Sequence, residues 1–226
     1  MKRIFATVIT VLVCLQIFAQ VNYSGSYGYA LPNEDLPKNN SNIPGGNLVL
    51  VKMEGSKYRF WLDVLIGPPG YNRGETDGTI VFKNDTASFD NTFEDATNPC
   101  ILKFKISGNT ININSLSTSF NCGFGNGVHA DGDYAKLAVQ PLLNNEWLKK
   151  EYYGSPMAIV TAGKAEVFQD ENCMNSFTKK QYFVKGDSLI SVTENKNTLY
   201  TEFITPAGKF IYGWLKKSAL KITKME

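Results

Sequence analysis

Residues 22 to 128 hold eight short runs in which polar and apolar side chains alternate, and three of the gaps between runs contain the pairs Gly55-Ser56, Asn84-Asp85 and Gly108-Asn109. A period of two sends every second side chain to one face, which is the pattern of an antiparallel strand with one buried side. Small pairs of this kind tolerate positive φ and close hairpins at low steric cost. The runs 22–29, 46–53, 57–65, 78–83, 86–89, 101–106, 110–113 and 123–128 are therefore expected to follow one another as a meander.

Eight strands protect their edges either by closing into a barrel or by stacking as two sheets. Closure is favoured by two Gly-x-Tyr segments, Ser24-Gly25-Ser26-Tyr27-Gly28-Tyr29 near the start and Asp131-Gly132-Asp133-Tyr134 near the end, which can lie side by side where first and last strands meet. The expected fold class is all-β, beginning with an antiparallel eight-stranded barrel or sandwich over 20–138. Loops 32–44 and 67–74, rich in Pro, Gly and Asn, are expected at the surface, where binding contacts often reside. Residues 139–156 form a linker of different character, with Leu142, Leu143, Trp147 and Leu148 at near-helical spacing. A short helix there would pack its apolar side on one or both modules.

The N-terminus bears on address. Met1-Lys2-Arg3 precedes an apolar run over 4–18 and then Ala19, so 1–19 is expected to be a signal peptide cleaved after Ala19. The run is short for a bilayer span, which needs about 20 apolar residues, and no later stretch supplies one. A periplasmic or extracellular protein without a membrane span is expected. A lipid anchor on Cys14 is the competing reading, opposed by Val13 where such signals carry a small residue. Of the remaining cysteines, Cys100 and Cys122 share one strand-rich region and are the expected disulfide, leaving Cys173 as a free loop thiol or, as the alternative, bridged to a second chain.

Charge divides the chain. Residues 20–135 carry eight Lys and Arg against twelve Asp and Glu, whereas 136–226 carry thirteen Lys, no Arg and nine acids. Two modules with different surfaces are expected, and the second lacks the concentrated Arg-bearing surface of a nucleic-acid binder. His129 is the only histidine, too little for a zinc cluster, and a Cys-His enzyme would need a thiolate beside it. Asp63, Glu75, Asp77, Asp131 and Asp133 read as solvated loop charges rather than a glycosidase pair, and Asp131-Gly132-Asp133 as a turn. Gly123-Phe124-Gly125-Asn126-Gly127 lacks the Lys and helix of a phosphate loop. No catalytic residue, metal or cofactor is expected.

The last third adds two segments, Phe183-Val184-Lys185-Gly186-Asp187 ahead of an alternating run, and Gly208-Lys209-Phe210-Ile211-Tyr212-Gly213-Trp214-Leu215 followed by Lys216-Lys217-Ser218-Ala219-Leu220. Over 157–222 this resembles a bacterial Src-homology-3-like (SH3-like) domain, in which a Lys-Gly-Asp turn leads into central strands and a Gly-Trp-Leu segment ends a small barrel. The resemblance implies binding of peptide or peptidoglycan-like material without catalysis. Tyr182, Tyr200, Phe203, Tyr212 and Trp214 are the candidates for an aromatic ligand groove, with a place in the core as the alternative for each. The chain departs from the pattern at Ala165-Glu166-Val167-Phe168-Gln169-Asp170, where many relatives carry an Arg-bearing segment.

The first module, with Cys122-Gly123-Phe124-Gly125, loosely resembles small secreted β-barrel lysozyme inhibitors. The expected function is a non-enzymatic binding protein of the cell envelope. The alternatives are an inhibitor of a cell-wall hydrolase such as lysozyme, and a small-ligand carrier using the first barrel. Oligomeric state is left open.

Overall fold

The computed structural model describes residues 22–30, 45–67 and 70–223. The signal segment 1–19, Cys14 and the loop 32–44 lie outside the described residues.

Eight antiparallel strands form the first module: β1 (Gly25–Ala30), β2 (Gly45–Lys52), β3 (Lys57–Leu65), β4 (Arg73–Val81), β5 (Thr86–Asp90), β6 (Ile101–Ser107), β7 (Thr110–Ser115) and β8 (Gly132–Lys136). Their order is β4-β3-β2-β1-β8-β7-β6-β5, a nearly closed barrel. All three small turn pairs sit where expected, with positive φ at Gly55, Asn84, Asp85 and Gly108. First and last strands meet: Gly28 pairs with Ala135, and the rings of Tyr29 and Tyr134 lie 5.2 Å apart. The gap falls in mid-chain instead, between β4 and β5, whose hairpin is tied only near its turn by Lys83 and Thr86.

Two expectations about strands are corrected. β4 begins at Arg73, so Glu75 and Asp77 lie on a strand and not in a loop. Its inward positions include Gly74 and Gly78, where a Cβ would stand 2.4 Å from the rings of Phe124 and Phe89 respectively. The apolar bulk facing these positions comes from elsewhere in the chain, which hides the first half of β4, ahead of the run expected at 78–83, from a reading of its own periodicity. Residues 123–128 are not the eighth strand. A 3-10 turn, Ser119–Cys122, runs into a loop in which Gly123 and Gly127 take positive φ, and Phe124 and Val128 are buried among the core residues. The closing strand is β8, and Asp133 lies on it rather than in a turn, accepting a hydrogen bond from Asn112 on β7.

The barrel interior is filled by its own side chains, Tyr58, Tyr134, Phe60, Phe104, Leu62 and Ile113 among them, each below 2 % exposure. Full burial of one such side chain contributes about 1.5–3 kcal/mol. A carrier function inside the barrel therefore draws no support from its interior. The expected disulfide joins Cys100 and Cys122, bracing the start of β6 against the 3-10 turn. Cys173 is free and buried.

After the helix α1 (Asn145–Glu151) come eight further strands, most of them short: β9 (Met157–Val160), β10 (Lys164–Glu166), β11 (Tyr182–Val184), β12 (Ser188–Ile190), β13 (Thr193–Glu194), β14 (Thr198–Ile204), β15 (Phe210–Lys216) and β16 (Leu220–Thr223). They form three small sheets, β10-β11, β12-β9-β16 and β13-β14-β15. A separate core of Val160, Val167, Phe183, Leu189, Leu199 and Leu215 holds them together. Gly213 is required in β15: its φ is 142°, and a Cβ there would lie 2.5 Å from the Phe168 carbonyl oxygen. That close approach permits the paired backbone hydrogen bonds between Phe168 and Trp214, each 2.9 Å long.

Candidate functional site

The modules meet across a third apolar cluster. Val49, Val51 and Trp61 supply the outer face of β2 and β3, Leu148 comes from α1, and Ile204 and Phe210 come from β14 and β15. The alternation that fills the barrel also produces this face, since residues 59, 61 and 63 of β3 point away from the interior. Register sets their neighbours: Arg59, Trp61 and Asp63 lie opposite Val51, Val49 and Asn47 on β2, and opposite Thr79, Asp77 and Glu75 on β4. Asn144 caps α1 by accepting from the Trp147 backbone N–H at 3.0 Å, which fixes the helix across this face. Trp147 packs edge-on against Trp61 with ring centroids 5.1 Å apart.

A polar network crosses the seam. Arg59 Nε lies 2.8 Å from Glu202 Oε1, and Arg59 also pairs with Asp77. Arg59 Nη2 donates to the Tyr152 hydroxyl at 2.8 Å, and that hydroxyl donates to Glu202 Oε2 at 2.6 Å. Burial pushes the Tyr152 phenol pKa up and the Glu202 carboxylate reinforces it, so the hydroxyl keeps its proton and remains a donor. Burial also raises the Glu202 carboxyl, with Arg59 and Tyr152 opposing the rise.

Beside this network lies a cleft of about 590 Å³, lined among others by Trp61, Asp63, Arg73, Glu75, Glu151 and Tyr153. Arg73 grips Asp63 through Nε at 3.0 Å and Nη2 at 2.7 Å, and reaches Glu75 at 3.2 Å. Glu151 makes no ion pair among the described residues, although Lys150 also borders the cleft. Its side chain keeps contact with solvent, yet partial loss of hydration raises its pKa, helped by Asp63 and Glu75 and opposed by Arg73. Trp61 is 8 % exposed, and its indole Nε1 is buried with no hydrogen-bond partner among the described residues. The cleft thus combines an anionic wall with an aromatic side.

The five aromatic candidates do not share one surface. Tyr200, Tyr212 and Trp214 lie on the same face of the β14–β15 hairpin as Glu202, with Tyr200 and Trp214 paired at 5.5 Å and Tyr212 stacked on Phe210. Phe203, one residue beyond Glu202, points to the opposite face and packs against Phe183 at 5.3 Å in the module's own core. Tyr182 stands apart on β11, half exposed, with the Lys164 ammonium 4.6 Å from its ring.

Arg59, Trp61, Glu151 and Tyr152 were not among the sequence candidates. The available signal was in β3 itself, where Arg59, Trp61 and Asp63 occupy the face that a solvent-exposed strand would fill with unremarkable polar residues. Among the described residues no group of three or more His, Cys, Asp or Glu is placed to hold a metal ion, and no helix is long and apolar enough to cross a membrane. Cys122 is committed to its disulfide, and His129 lies 3.1 Å from the Ser119 hydroxyl. Comparison with protein-family models, with curated proteins and with solved structures finds no match to the chain.

Proposed function

We propose that the protein is a non-enzymatic binding protein of the cell envelope that recognises peptide or peptidoglycan-like material in the cleft at the seam of its two modules. The observation that carries this reading is the cleft itself, with charged side chains on a rigid strand face, an aromatic side and a helix end as its border. Clefts between modules that join apolar walls to a few placed polar groups are common ligand sites. The Cys100–Cys122 bridge supports an oxidising compartment, in keeping with the export signal expected at 1–19. Sedimentation of the protein with purified peptidoglycan tests the reading. Co-sedimentation that free muropeptides compete away is expected, and protein left wholly in the supernatant would overturn it.

The inhibitor reading is favoured by a different observation. Leu116 and Phe120 are exposed within the span closed by the disulfide, an apolar presentation suited to a protein partner. Lysozyme activity measured with and without the protein decides that alternative, and an undiminished rate removes it.

A further inference from the structure

We propose that Asn126 is a self-modification site: its side-chain amide is lost through a succinimide formed with the Gly127 nitrogen, at a rate restrained by Asn72. The Gly127 backbone nitrogen gives up its proton and attacks Cγ of Asn126. An N–C bond forms, and the side-chain nitrogen takes a proton from solvent and leaves as ammonia. Water then opens the five-membered ring at either carbonyl, leaving aspartate or isoaspartate at position 126. Nothing is oxidised or reduced, and water is the only co-reactant.

Asn126-Gly127 is the sole Asn-Gly pair in the chain, and a residue without a Cβ leaves its nitrogen open to approach. Both residues are exposed, in the loop that follows the 3-10 turn. Val128 N–H donates to the Gly125 carbonyl at 3.1 Å, closing a four-residue turn around the pair with Gly127 at φ 76°. Among the described residues, neither the Gly127 N–H nor the Asn126 side-chain amide has a hydrogen-bond partner. The two Asp-Gly pairs, capable of the same ring closure, lack that freedom. Asp77 is paired with Arg59 while Gly78 sits opposite Phe60 in the sheet, and Asp131 accepts from the Ser115 N–H at 2.9 Å while Gly132 sits opposite Ile113. The restraint follows from peptide planarity, since the Gly127 nitrogen and the Asn126 carbonyl oxygen turn together. Asn72 Nδ2 donates to that oxygen at 2.7 Å, so turning the nitrogen toward the Asn126 side chain gives up this bond. Isoaspartate would route the main chain through the side chain and lengthen it. The loop it lengthens is tied to β4 by the Gly125 N–H to Arg73 carbonyl bond of 3.1 Å and by Phe124 packed at Gly74.

Incubation of the folded protein at mildly alkaline pH, followed by peptide mapping with mass spectrometry, tests this. Loss of amide concentrated at Asn126, with isoaspartate exceeding aspartate, is expected, and Asn126→Gln should abolish it. Asn72→Ala is expected to speed the loss about two- to tenfold, the worth of one hydrogen bond in an opening equilibrium, with thermal unfolding confirming that the variant is folded. The converted protein, separated by its added negative charge, is expected to melt below the parent. Retention of the Asn126 amide in the folded protein while the urea-denatured chain loses it, or loss spread evenly over the exposed asparagines, overturns the site. A rate unchanged by Asn72→Ala overturns the restraint. An unaltered melting temperature of the isoaspartate form overturns the tie between this loop and β4.

Discussion

Arg59 on the outer face of the barrel and Glu202 on the second module form an ion pair of 2.8 Å, with side chains 9 % and 3 % exposed. A buried pair of this kind compensates two desolvation costs, and removing one member leaves the other charge stranded. Glu202→Leu and Arg59→Met are each expected to destabilise the chain by about 3–5 kcal/mol. The double variant Arg59→Met/Glu202→Leu should lose clearly less than the sum of the two. Urea denaturation of all four proteins checks this, and strictly additive losses would mean that the two side chains do not act as a pair.

Glu151 gives a pH-dependent expectation. Its folded-state pKa is raised, chiefly by partial loss of hydration and then by Asp63 and Glu75. A raised value means that the stabilisation from this group is fully present below the unfolded-state pKa and is lost as pH rises through the folded-state pKa. Ionised Glu151 therefore works against the fold at neutral pH. Glu151→Gln should melt no lower than the parent protein at neutral pH, with any advantage disappearing as pH falls below the carboxylate range. Thermal melts across that range provide the check, and a variant that melts markedly lower at neutral pH contradicts the assigned electrostatics.

The barrel was legible in the sequence because its signals are local. Gly55, Asn84 and Gly108 mark turns by backbone tolerance alone, and the paired Gly-x-Tyr segments announced the meeting of β1 and β8. The first half of β4, ahead of the run expected at 78–83, escaped because Gly74 leaves room for Phe124, so the apolar side chain that completes its inner face there belongs to a distant part of the chain. The cleft escaped for a related reason. Asp63, Glu75 and Asp77 read as scattered acids until strand register set Asp63 opposite Glu75, and the fold then brought Glu151 from α1 beside them. Choosing aromatics by type found Tyr200, Tyr212 and Trp214 on one face, but type alone does not separate them from Phe203, whose position in the alternation turns it inward.

The disulfide closes a span of 22 residues between the start of β6 and the 3-10 turn that precedes Phe124. Restricting a loop of that size in the unfolded chain is worth about 3 kcal/mol in the entropic account. Cys100→Ser/Cys122→Ser should lower the free energy of unfolding by about that amount, and reduction of the parent protein should bring its denaturation midpoint to that of the variant. A midpoint unmoved by reductant, with the bond verified as broken by mass spectrometry, counts against a stabilising role.

Asp170 holds the loop around the free thiol. Its carboxylate accepts from the backbone N–H groups of Asn172 at 3.0 Å, Met174 at 3.2 Å and Asn175 at 2.6 Å. These bonds keep its pKa below the usual carboxylate value, the one from Asn175 most strongly. Cys173 lies inside the loop at a positive φ of 53° and is only 5 % exposed. A depressed folded-state pKa places the stabilisation above the unfolded-state value, and it is lost as pH falls through the folded-state value. Cys173 should therefore stay protected from dithiodipyridine until the solution is acidified below the ordinary carboxylate range, whereas Asp170→Ala should expose it already at neutral pH. Cys100 and Cys122, being bonded to each other, do not contribute to the labelling. Equal labelling rates for the parent and Asp170→Ala proteins at neutral pH would show that the loop is held by contacts other than this carboxylate.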